Sequence, residues 1–455
     1  MKLPHNKRIC LVGIGGVSMS ALAEMMLTQG YTIFGCDRVQ SARTEKLASM
    51  GIPVRIAPND PSNIDGADIV IRTAAARDDA PEIMEARRRG IQVMARAEAW
   101  ASLMEGYRHI VALSGTHGKS TTTGMCGQIA LTAGLDPTIS IGADLPVIGG
   151  NLRVGDAREV FIAEADEYWD SFLHFRPTVA VINNIEADHP DYFKSMDQML
   201  ASFTKFASLV PPDGCVVVNA ENENAVKASK GARCRVCTFG LNVPADVTAG
   251  NLTFKHNYSS CTLIADGNAL GSITLSVHGI HNVYNAIGAA AAMLACGVKP
   301  ALVVQGLNDF GGVARRFERR GTVNGAILVD DFGHHPTEMQ MTMDVAKSLG
   351  FQRVITVFQP YTYSRTSQYF DDFVKVLSQA DIAVLTEILG AREVNPGHDT
   401  SKTLVDAIPG AVFTPTFDDA EAWIRENARE GDLIVTTGCG NLNLLCDRLV
   451  GKRSF

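Results

Sequence analysis

The stretch VALSGTHGKSTTTGM, residues 111–125, places a glycine-rich turn between an apolar segment and a segment of helical character. Gly115 and Gly118 can let successive backbone N–H groups of this turn face an anion. The usual nucleotide-binding loop has four residues between its glycines, but only Thr116 and His117 stand between these two. The order of strand, glycine turn and helix predicts a shortened phosphate-binding loop in an α/β domain.

The residues after the turn supply the charges that bound ATP requires. Lys119 offers a point charge to the β- and γ-phosphates, and the Ser120 hydroxyl can bind magnesium. With Thr121 they complete a predicted ATP-binding loop, residues 115–121. A purely structural Gly-Lys-Ser turn is the alternative, and the strand before it and the helix after it favour the phosphate loop.

Length and charge limit the class of protein. A chain of 455 residues exceeds what one hydrophobic core usually serves and predicts about three domains. The formal net charge of −8 argues against nucleic acid or an anionic membrane surface as a partner. No apolar stretch reaches the roughly 18 residues of a membrane span, and glycines interrupt the apolar N-terminal run, which makes a poor signal peptide. We expect a cytoplasmic enzyme, a monomer or homodimer, without membrane insertion.

The rhythm of apolar and helical segments divides the chain into three α/β units. In residues 1–107, short apolar runs alternate with helical stretches, which predicts a parallel sheet. Residues 108–320 begin near the phosphate loop and contain short alternating runs between Cys237 and Gly279, so we expect a mixed sheet with an antiparallel patch. Residues 321–455 return to the alternation of strands and helices.

A second glycine-rich turn follows the first predicted strand. Gly13 and Gly15 stand where Gly-x-Gly lets a backbone approach a diphosphate at a helix N-terminus, and Asp37 closes the second strand, where an acid would bind a ribose. This pattern alone suggests a nicotinamide dehydrogenase, although Ser18 replaces the third glycine of that fingerprint. A tight turn that binds no ligand would also fit the pattern. The separate ATP-type loop argues against a dehydrogenase, which has no need of one.

Two further residues are candidate metal ligands beside the phosphate loop. Glu164 in FIAEADEY and His189 in NNIEADHPDYF each follow a predicted strand. Because parallel strands present their carboxyl ends at one edge of a sheet, both are expected near Ser120. The sequence therefore predicts a magnesium site formed by Ser120, Glu164 and His189.

Seven motifs, taken together and in order, resemble the Mur ligase family of bacterial cell-wall synthesis. They are GIGGVSMSALAE, SGTHGKSTTT, EADEYWDSFLHFRPTVAVINNIEADHPDYF, HGIHNVYNAIGA, GVARRFE, DDFGHHPTE and FQPYTYSRT. The resemblance covers nearly the whole chain. It implies an N-terminal Rossmann-like domain for a uridine nucleotide, a central ATP-binding domain and a C-terminal Rossmann-like domain that brings an amino acid.

The resemblance also implies an activity. An ATP-dependent amide ligase of this kind joins L-alanine to the carboxylate of UDP-N-acetylmuramate in peptidoglycan precursor synthesis. ATP first phosphorylates the carboxylate, and the alanine amine then attacks the acyl phosphate. Both steps concentrate negative charge, which explains a need for lysine, arginine and magnesium at the site.

The family assigns roles to residues in all three domains. It implies a sugar-nucleotide site at Gly13, Ile14, Gly15, Gly16 and Asp37. It implies ATP contacts at residues 115–121, Asn282, Arg316 and Asp331, with Lys119, His334 and Arg365 as the catalytic residues. A base must accept a proton from the alanine ammonium, and His334 is our hypothesis for it; a role in orienting the strand-to-helix turn is the alternative.

Departures from the family pattern concern the amino-acid side. Phe332 stands where the family usually has tyrosine, and Tyr361 where it often has histidine. Glycine or serine in place of alanine therefore stays open, since a pocket separates a single methyl by only ~1–3 kcal/mol. A murein-peptide ligase, which adds a tripeptide to the same sugar nucleotide, shares the first two domains, but FQPYTYSRT favours the enzyme that adds a single amino acid. A non-catalytic nucleotide-binding relative is the other alternative, and the intact Lys119, Ser120, Glu164 and His189 argue against it. In an active ligase we expect the domains to close around the substrates.

Overall fold

Three β-sheets, each covered by helices, make up the molecule. The computed structural model describes residues 3–190, 192–255, 258–391, 393–395, 397 and 401–451. Within these residues the strands form sheets of five, ten and six strands. The predicted fold class, three α/β units with an antiparallel patch in the middle one, is confirmed.

The first sheet is parallel, with strand order β3-β2-β1-β4-β5. Its strands are β1 (Arg8–Val12), β2 (Thr32–Asp37), β3 (Val54–Ile56), β4 (Ile69–Arg72) and β5 (Gln92–Ala95). Its helices are α1 (Val17–Thr28), α2 (Ala42–Ser49), α3 (Pro81–Arg88) and α4 (Arg96–Met104), with a short 3₁₀ turn over Pro61–Ile64. The order reverses beside β1, so a cleft forms at the carboxyl ends of β1 and its neighbours.

The second sheet is mixed and has the order β15-β14-β13-β12-β11-β10-β6-β9-β7-β8. Its strands are β6 (His109–Ser114), β7 (Thr138–Leu145), β8 (Gly150–Arg153), β9 (Val160–Glu164), β10 (Val179–Ile182), β11 (Cys215–Asn219), β12 (Arg235–Phe239), β13 (Val247–Lys255), β14 (Tyr258–Ala265) and β15 (Asn268–Leu275). The pairs β13–β14 and β14–β15 are antiparallel, as predicted for this part of the chain. Strand β6, which leads into the phosphate loop, lies between the parallel strands β9 and β10.

Helices cover both faces of the second sheet. They are α5 (Lys119–Thr132), α6 (Met196–Ser208), α7 (Glu223–Ser229), α8 (Ile280–Ala295) and α9 (Pro300–Asn308), with 3₁₀ turns over Pro146–Ile148 and Tyr168–His174. Helix α5 contacts the sheet, α8 and α9 at once, so almost all of its residues are buried. Burial on several sides fixes the N-terminus of α5, where the phosphate loop ends.

The third sheet has the order β16-β17-β21-β18-β19-β20, in which only the β16–β17 pair is antiparallel among the described strands. Its strands are β16 (Glu318–Val323), β17 (Ala326–Asp331), β18 (Arg353–Phe358), β19 (Ile382–Leu385), β20 (Val412–Phe413) and β21 (Asp432–Thr437). Its helices are α10 (Pro336–Ser348), α11 (Tyr363–Gln368), α12 (Phe370–Leu377), α13 (Ser401–Ala407), α14 (Phe417–Asn427) and α15 (Asn443–Leu449). Strand β16 crosses the predicted domain boundary between residues 320 and 321.

Separate hydrophobic clusters lie on the faces of these sheets. One joins the α1 face of the first sheet to residues of the second, including Trp100 and Phe161, whose rings meet edge to face at 6.1 Å. Two others lie on opposite faces of the third sheet. None of the described helices is both long enough and apolar enough to cross a membrane.

Candidate active site

The phosphate loop joins β6 to α5 through two glycines in left-handed conformations. Gly115 has φ +136° and Gly118, the N-cap of α5, has φ +79°. A Cβ atom on Gly118 would lie 2.4 Å from Oδ1 of Asn285 in α8. The turn therefore requires glycine for conformation and for space, and the first-turn N–H groups of α5 point to where an anion would bind.

Lys119 is held inside this loop by a buried carboxylate. Its Nζ donates to Gly115 O at 2.5 Å and lies 3.0 Å from both carboxylate oxygens of Glu167. Burial disfavours the ammonium, but Glu167, Asp166 and Glu164 raise the pKa of Lys119 above its usual value. Burial in turn raises the pKa of Glu167, which is fully buried, against the opposing effect of Lys119. The lysine thus carries its positive charge at the position where phosphate would bind.

Ser120 and Glu164 meet as predicted for a metal site. Ser120 Oγ donates to Glu164 Oε2 at 2.9 Å, and the backbone N–H of Gly142 donates to the same oxygen at 2.9 Å. Strand β9 brings Glu164 there because it pairs in parallel with β6. One hydroxyl and one carboxylate beside a phosphate loop are oxygen donors of the type that magnesium prefers.

His189, the third predicted metal ligand, lies in a second acidic group. Its ring stacks on Tyr168 with centroids 4.6 Å apart, and its Nε2 is 4.0 Å from Glu167 Oε1. Ligand atoms of Asp166, Glu167 and His189 all lie within 4.8 Å of one another, and this is the one such cluster among the described residues. Sequence reasoning missed Asp166 and Glu167, although both stand in the same EADE motif as Glu164.

His117 connects the loop to the third domain. Its Nε2 lies 3.2 Å from Glu186 and its Nδ1 3.3 Å from Glu338 in α10. Burial disfavours the imidazolium, but these two carboxylates raise the pKa of His117 to about 9. Thr116 is bonded to the same segment, because its Oγ1 accepts the N–H of Glu186 at 2.9 Å. The two residues between the glycines therefore hold neighbouring chain segments in place.

A cavity of about 230 Å³ opens beside Gly118 and is lined by Phe239, His281, Tyr284 and Asn285, among others. Asn282, the residue predicted to contact adenine, is not among its lining residues. The Asn282 amide donates to His278 O at 2.6 Å, and its oxygen accepts from Asn285 Nδ2 at 3.1 Å. In the structure, Asn282 orients Asn285, which the sequence interpretation did not single out.

Arg316 and Asp331 approach the site from the third domain. The Arg316 guanidinium lies over the Phe332 ring, 5.2 Å from its centroid, and its buried Nε has no hydrogen-bond partner among the described residues. Asp331 accepts the N–H groups of Phe317 and Gly333, each at 2.8 Å. Burial raises the pKa of Asp331. Arg316 thus retains an unused donor, whereas the carboxylate of Asp331 fixes the turn after β17.

His334 and Arg365, predicted on the amino-acid side, both lie at the carboxyl edge of the third sheet. Arg365 is 6% exposed and binds Asp188 Oδ1 of the central domain at 2.6 Å. His334 Nδ1 lies 3.3 Å from Glu338, and burial lowers the pKa of His334 to about 4. Tyr361 faces the same group, with its ring centroid 6.3 Å from that of His334.

The other glycine turn borders a cavity of about 400 Å³ over the first sheet. Gly13, Gly15, Gly16 and Asp37 line it. Asp37 Oδ2 accepts the N–H of Gly15 at 2.8 Å, so this acid shapes the turn. Ile14 is fully buried, and its N–H donates to Cys36 O at 3.1 Å, which places it in the wall behind the cavity. The turn leads into the N-terminus of α1, whose first-turn N–H groups are suited to binding an anion.

Family models match most of the chain. One described as "Mur ligase family, catalytic domain" matches residues 8–108, "Mur ligase middle domain" matches residues 113–293, and "Mur ligase, glutamate ligase domain" matches residues 315–440. These matches confirm the resemblance carried by the seven motifs.

Two curated relatives and one solved structure similar to this chain are UDP-N-acetylmuramate–L-alanine ligases. UDP-N-acetylmuramate–L-alanine ligase of Clostridium novyi is 42% identical over 96% of each chain. That of Acetivibrio thermocellus is 41% identical over 96% of this chain and 94% of its own. The crystal structure of UDP-N-acetylmuramate-alanine ligase from Thermotoga maritima superposes with a TM-score of 0.83 at 26% identity, covering 98% of this chain and 99% of that one. A murein peptide ligase from Psychrobacter arcticus shares the fold, with a TM-score of 0.74 at 24% identity over 98% of each chain.

Proposed function

The chain belongs to the Mur ligase family, and we propose that it joins L-alanine to the carboxylate of UDP-N-acetylmuramate with ATP as the phosphoryl donor. The product would be a precursor of peptidoglycan. The observation that carries the proposal is the meeting of three domains beside one phosphate loop. Lys119 and Glu164 lie in the central domain, His334 and Arg365 in the third, and Ser18 of the first lines a cleft that it shares with Glu164.

The charges of the site suit an acyl-phosphate route. Phosphoryl transfer to a carboxylate brings two anions together, and attack by an amine then creates a tetrahedral oxyanion. Lys119 holds a positive charge beside the N-terminus of α5. Arg316 adds a guanidinium whose buried Nε is still available for a ligand. These groups are fixed before substrate binds, which is the condition for electrostatic stabilisation.

Magnesium fits the donors that the structure brings together. Ser120 and Glu164 would hold it, with the group of Asp166, Glu167 and His189 at the neighbouring position. When bound, it would reduce the repulsion between the phosphates and the incoming carboxylate. Glu167 would have a second role, because it already holds Lys119 in the loop.

His334 is our candidate for the base that receives the proton of the alanine ammonium. Because its pKa is about 4, its imidazole is neutral at neutral pH and has a lone pair to accept a proton. The same value makes it a weak base, so the proton would pass on at once to a stronger acceptor or to water. Arg365 would face the alanine carboxylate from the same edge of the sheet.

We also infer that the enzyme works in the cytoplasm, where ATP and sugar nucleotides are made, as a monomer or homodimer. The proposed domain boundaries remain those of the sequence: residues 1–107 for the sugar nucleotide, 108–320 for ATP and 321–455 for the amino acid. Size-exclusion chromatography with light scattering would give the oligomeric state.

Phosphate release from ATP tests the function. Purified protein would receive ATP, magnesium and UDP-N-acetylmuramate, with alanine, glycine, serine or the tripeptide in parallel. We expect release to be fastest with alanine and to fall to background in Lys119→Ala. Fastest release with the tripeptide would assign a murein-peptide ligase instead. No release with any acceptor, from folded protein that binds the sugar nucleotide, would indicate a non-catalytic relative.

A further inference from the structure

The cavity over the first sheet ends at a buried carboxylate with one unused oxygen. Glu82 in α3 and Asn63 in the preceding 3₁₀ turn line this cavity and are 1% and 4% exposed. Oε1 of Glu82 accepts from Asn63 Nδ2 at 2.9 Å and from the N–H of Asp60 at 3.0 Å. Oε2 of Glu82 is buried and has no hydrogen-bond partner in the part of the chain that the structure describes. A buried acceptor without a donor is unfavourable, which points to a ligand that supplies the donor.

The position of Glu82 within the cavity indicates which part of a nucleotide it meets. A diphosphate would lie at the first turn of α1, next to Gly13. A narrow cleft beyond that turn is lined by both Ser18 and Glu164, so the sugar and its carboxylate extend towards the phosphate loop. The nucleobase then occupies the other end of the cavity, on the side of Asn63 and Glu82.

We infer that Glu82 selects the base by accepting the N3–H of uracil on Oε2, with Asn63 as the residue that positions its carboxylate. This inference rests on the proposed function, which supplies a uridine nucleotide as substrate. Uracil has a hydrogen on N3, whereas cytosine has a lone pair there. An acceptor at this position therefore favours uracil and repels cytosine, and it gives the protein a means of rejecting cytidine nucleotides.

The two carboxylate oxygens of Glu82 have separate roles, one in holding the local structure and one in recognising the base. Oε1 holds the 3₁₀ turn between β3 and β4 against α3, through its bonds to Asp60 and Asn63. Position in the first turn of α3 also suits a carboxylate, because the helix N-terminus attracts negative charge. Neither of these roles uses Oε2, so recognition can be altered while the structural contacts stay.

Calorimetric titration of the full-length protein with UDP, N3-methyl-UDP and CDP tests the inference. The methyl group replaces the hydrogen that Glu82 would accept and leaves the ribose and diphosphate unchanged. We expect wild-type protein to bind UDP about tenfold or more tightly than either analogue, as expected for a hydrogen bond to a charged group. Equal affinity for UDP and N3-methyl-UDP would overturn the inference even if every variant failed to fold.

Glu82→Gln exchanges the acceptor at Oε2 for an amide donor and keeps an oxygen for Asp60 and Asn63. We expect the preference for UDP over CDP to fall about tenfold or more, because the amide can donate to N3 of cytosine. Glu85→Gln is the matched control: it lies in the same helix and pairs with Arg88 and Arg89, so it should keep the wild-type preference. An unchanged preference in Glu82→Gln would overturn the inference. Failure of folded wild-type protein to bind UDP would contradict the proposed function itself.

Discussion

His117 is a buried histidine whose charge depends on two acids from different domains. Glu186 and Glu338 raise its pKa to about 9, from an ordinary value near 6.5 in an unfolded chain. Its contribution to the free energy of unfolding is therefore complete below about pH 6.5 and is lost as the pH rises through about 9. At about 1.4 kcal/mol per pKa unit, this contribution is at most roughly 3.5 kcal/mol.

His117→Asn should reveal this dependence in thermal unfolding between pH 6 and 10. We expect the difference in melting temperature between wild type and variant to be largest at pH 6 and to shrink towards pH 10. His109→Asn is the control, because burial lowers the pKa of His109 and its imidazole is neutral across most of this range. If the difference in melting temperature between wild type and His117→Asn stayed constant up to pH 10, the contribution of the histidine would come from packing alone.

Phe332 stands where the family usually has tyrosine. Its contacts with two arginines are made by the face of the ring, so they do not require the hydroxyl of a tyrosine. The guanidinium carbons of Arg315 and Arg316 lie 4.9 and 5.2 Å from its ring centroid. Phe332→Tyr keeps that face and should change the KM values for ATP and alanine by less than about twofold. Phe332→Leu removes cation–π contacts of ~0.5–1 kcal/mol each, so we expect the KM for ATP to rise several-fold. Equal kinetics of the two variants would refute a role for the ring face.

A glycine with positive φ stands at each end of helix α5, but only the one before the helix also lacks room for a side chain. Gly118 before α5 has φ +79° and no room for a Cβ beside Asn285, whereas Gly134 after it has φ +68° and open space. In Gly134→Ala we expect only the cost of a left-handed residue, about 1–2 kcal/mol. In Gly118→Ala we expect a larger loss of stability and ATP binding weakened by at least about tenfold, since the loop must move. Melting curves and titration with a non-hydrolysable ATP analogue would separate the two effects.

Local patterns in the sequence predict the strands, helices and glycine turns of this fold well. The apolar runs and glycine turns gave the three α/β units, and the Gly-Lys-Ser turn located the start of α5. The meeting of Ser120 with Glu164 also followed from the sequence, because β6 and β9 are parallel neighbours and their carboxyl ends share an edge.

Other contacts depend on positions far apart in the chain, and no local pattern fixes them. Glu338 reaches His117 from another domain, and Asn285 rather than Asn282 lines the cavity beside the loop. Glu167 follows Glu164 by three residues, yet only the turn after β9 determines that it meets Lys119. Roles of this kind require the relative placement of whole sheets, which periodicity does not supply.

Across the molecule, a short segment of the central domain joins the third domain. Glu186 accepts from Thr337 Oγ1 at 3.2 Å, Ala187 O accepts from Tyr369 Oη at 2.8 Å, and Asp188 binds Arg365 at 2.6 Å. Burial acts to raise the pKa of Asp188, but His189 and Arg365 hold it well below its usual value. These contacts close the cleft between the phosphate loop and the amino-acid side.

Asp188→Asn should therefore open the molecule. Removing one charge of a buried pair leaves Arg365 without compensation and costs about 3–5 kcal/mol, so we expect the third domain to separate from the central one. Small-angle scattering should give a larger radius of gyration for the variant than for wild type without ligands. With an ATP analogue and the sugar nucleotide both bound, wild-type protein should be at its most compact, because ligands that contact both domains favour the closed form.

The control for this experiment is Asp371→Asn, which removes an exposed acid from the first turn of α12. It makes the same change of charge and should leave the scattering curve as in wild type. If Asp188→Asn were as compact as this control, the contacts at residues 186–188 would not be what holds the domains together. If it were expanded but closed fully with both ligands, Asp188 would set the balance between open and closed forms, while the substrates themselves would complete the closure that excludes water from the acyl phosphate.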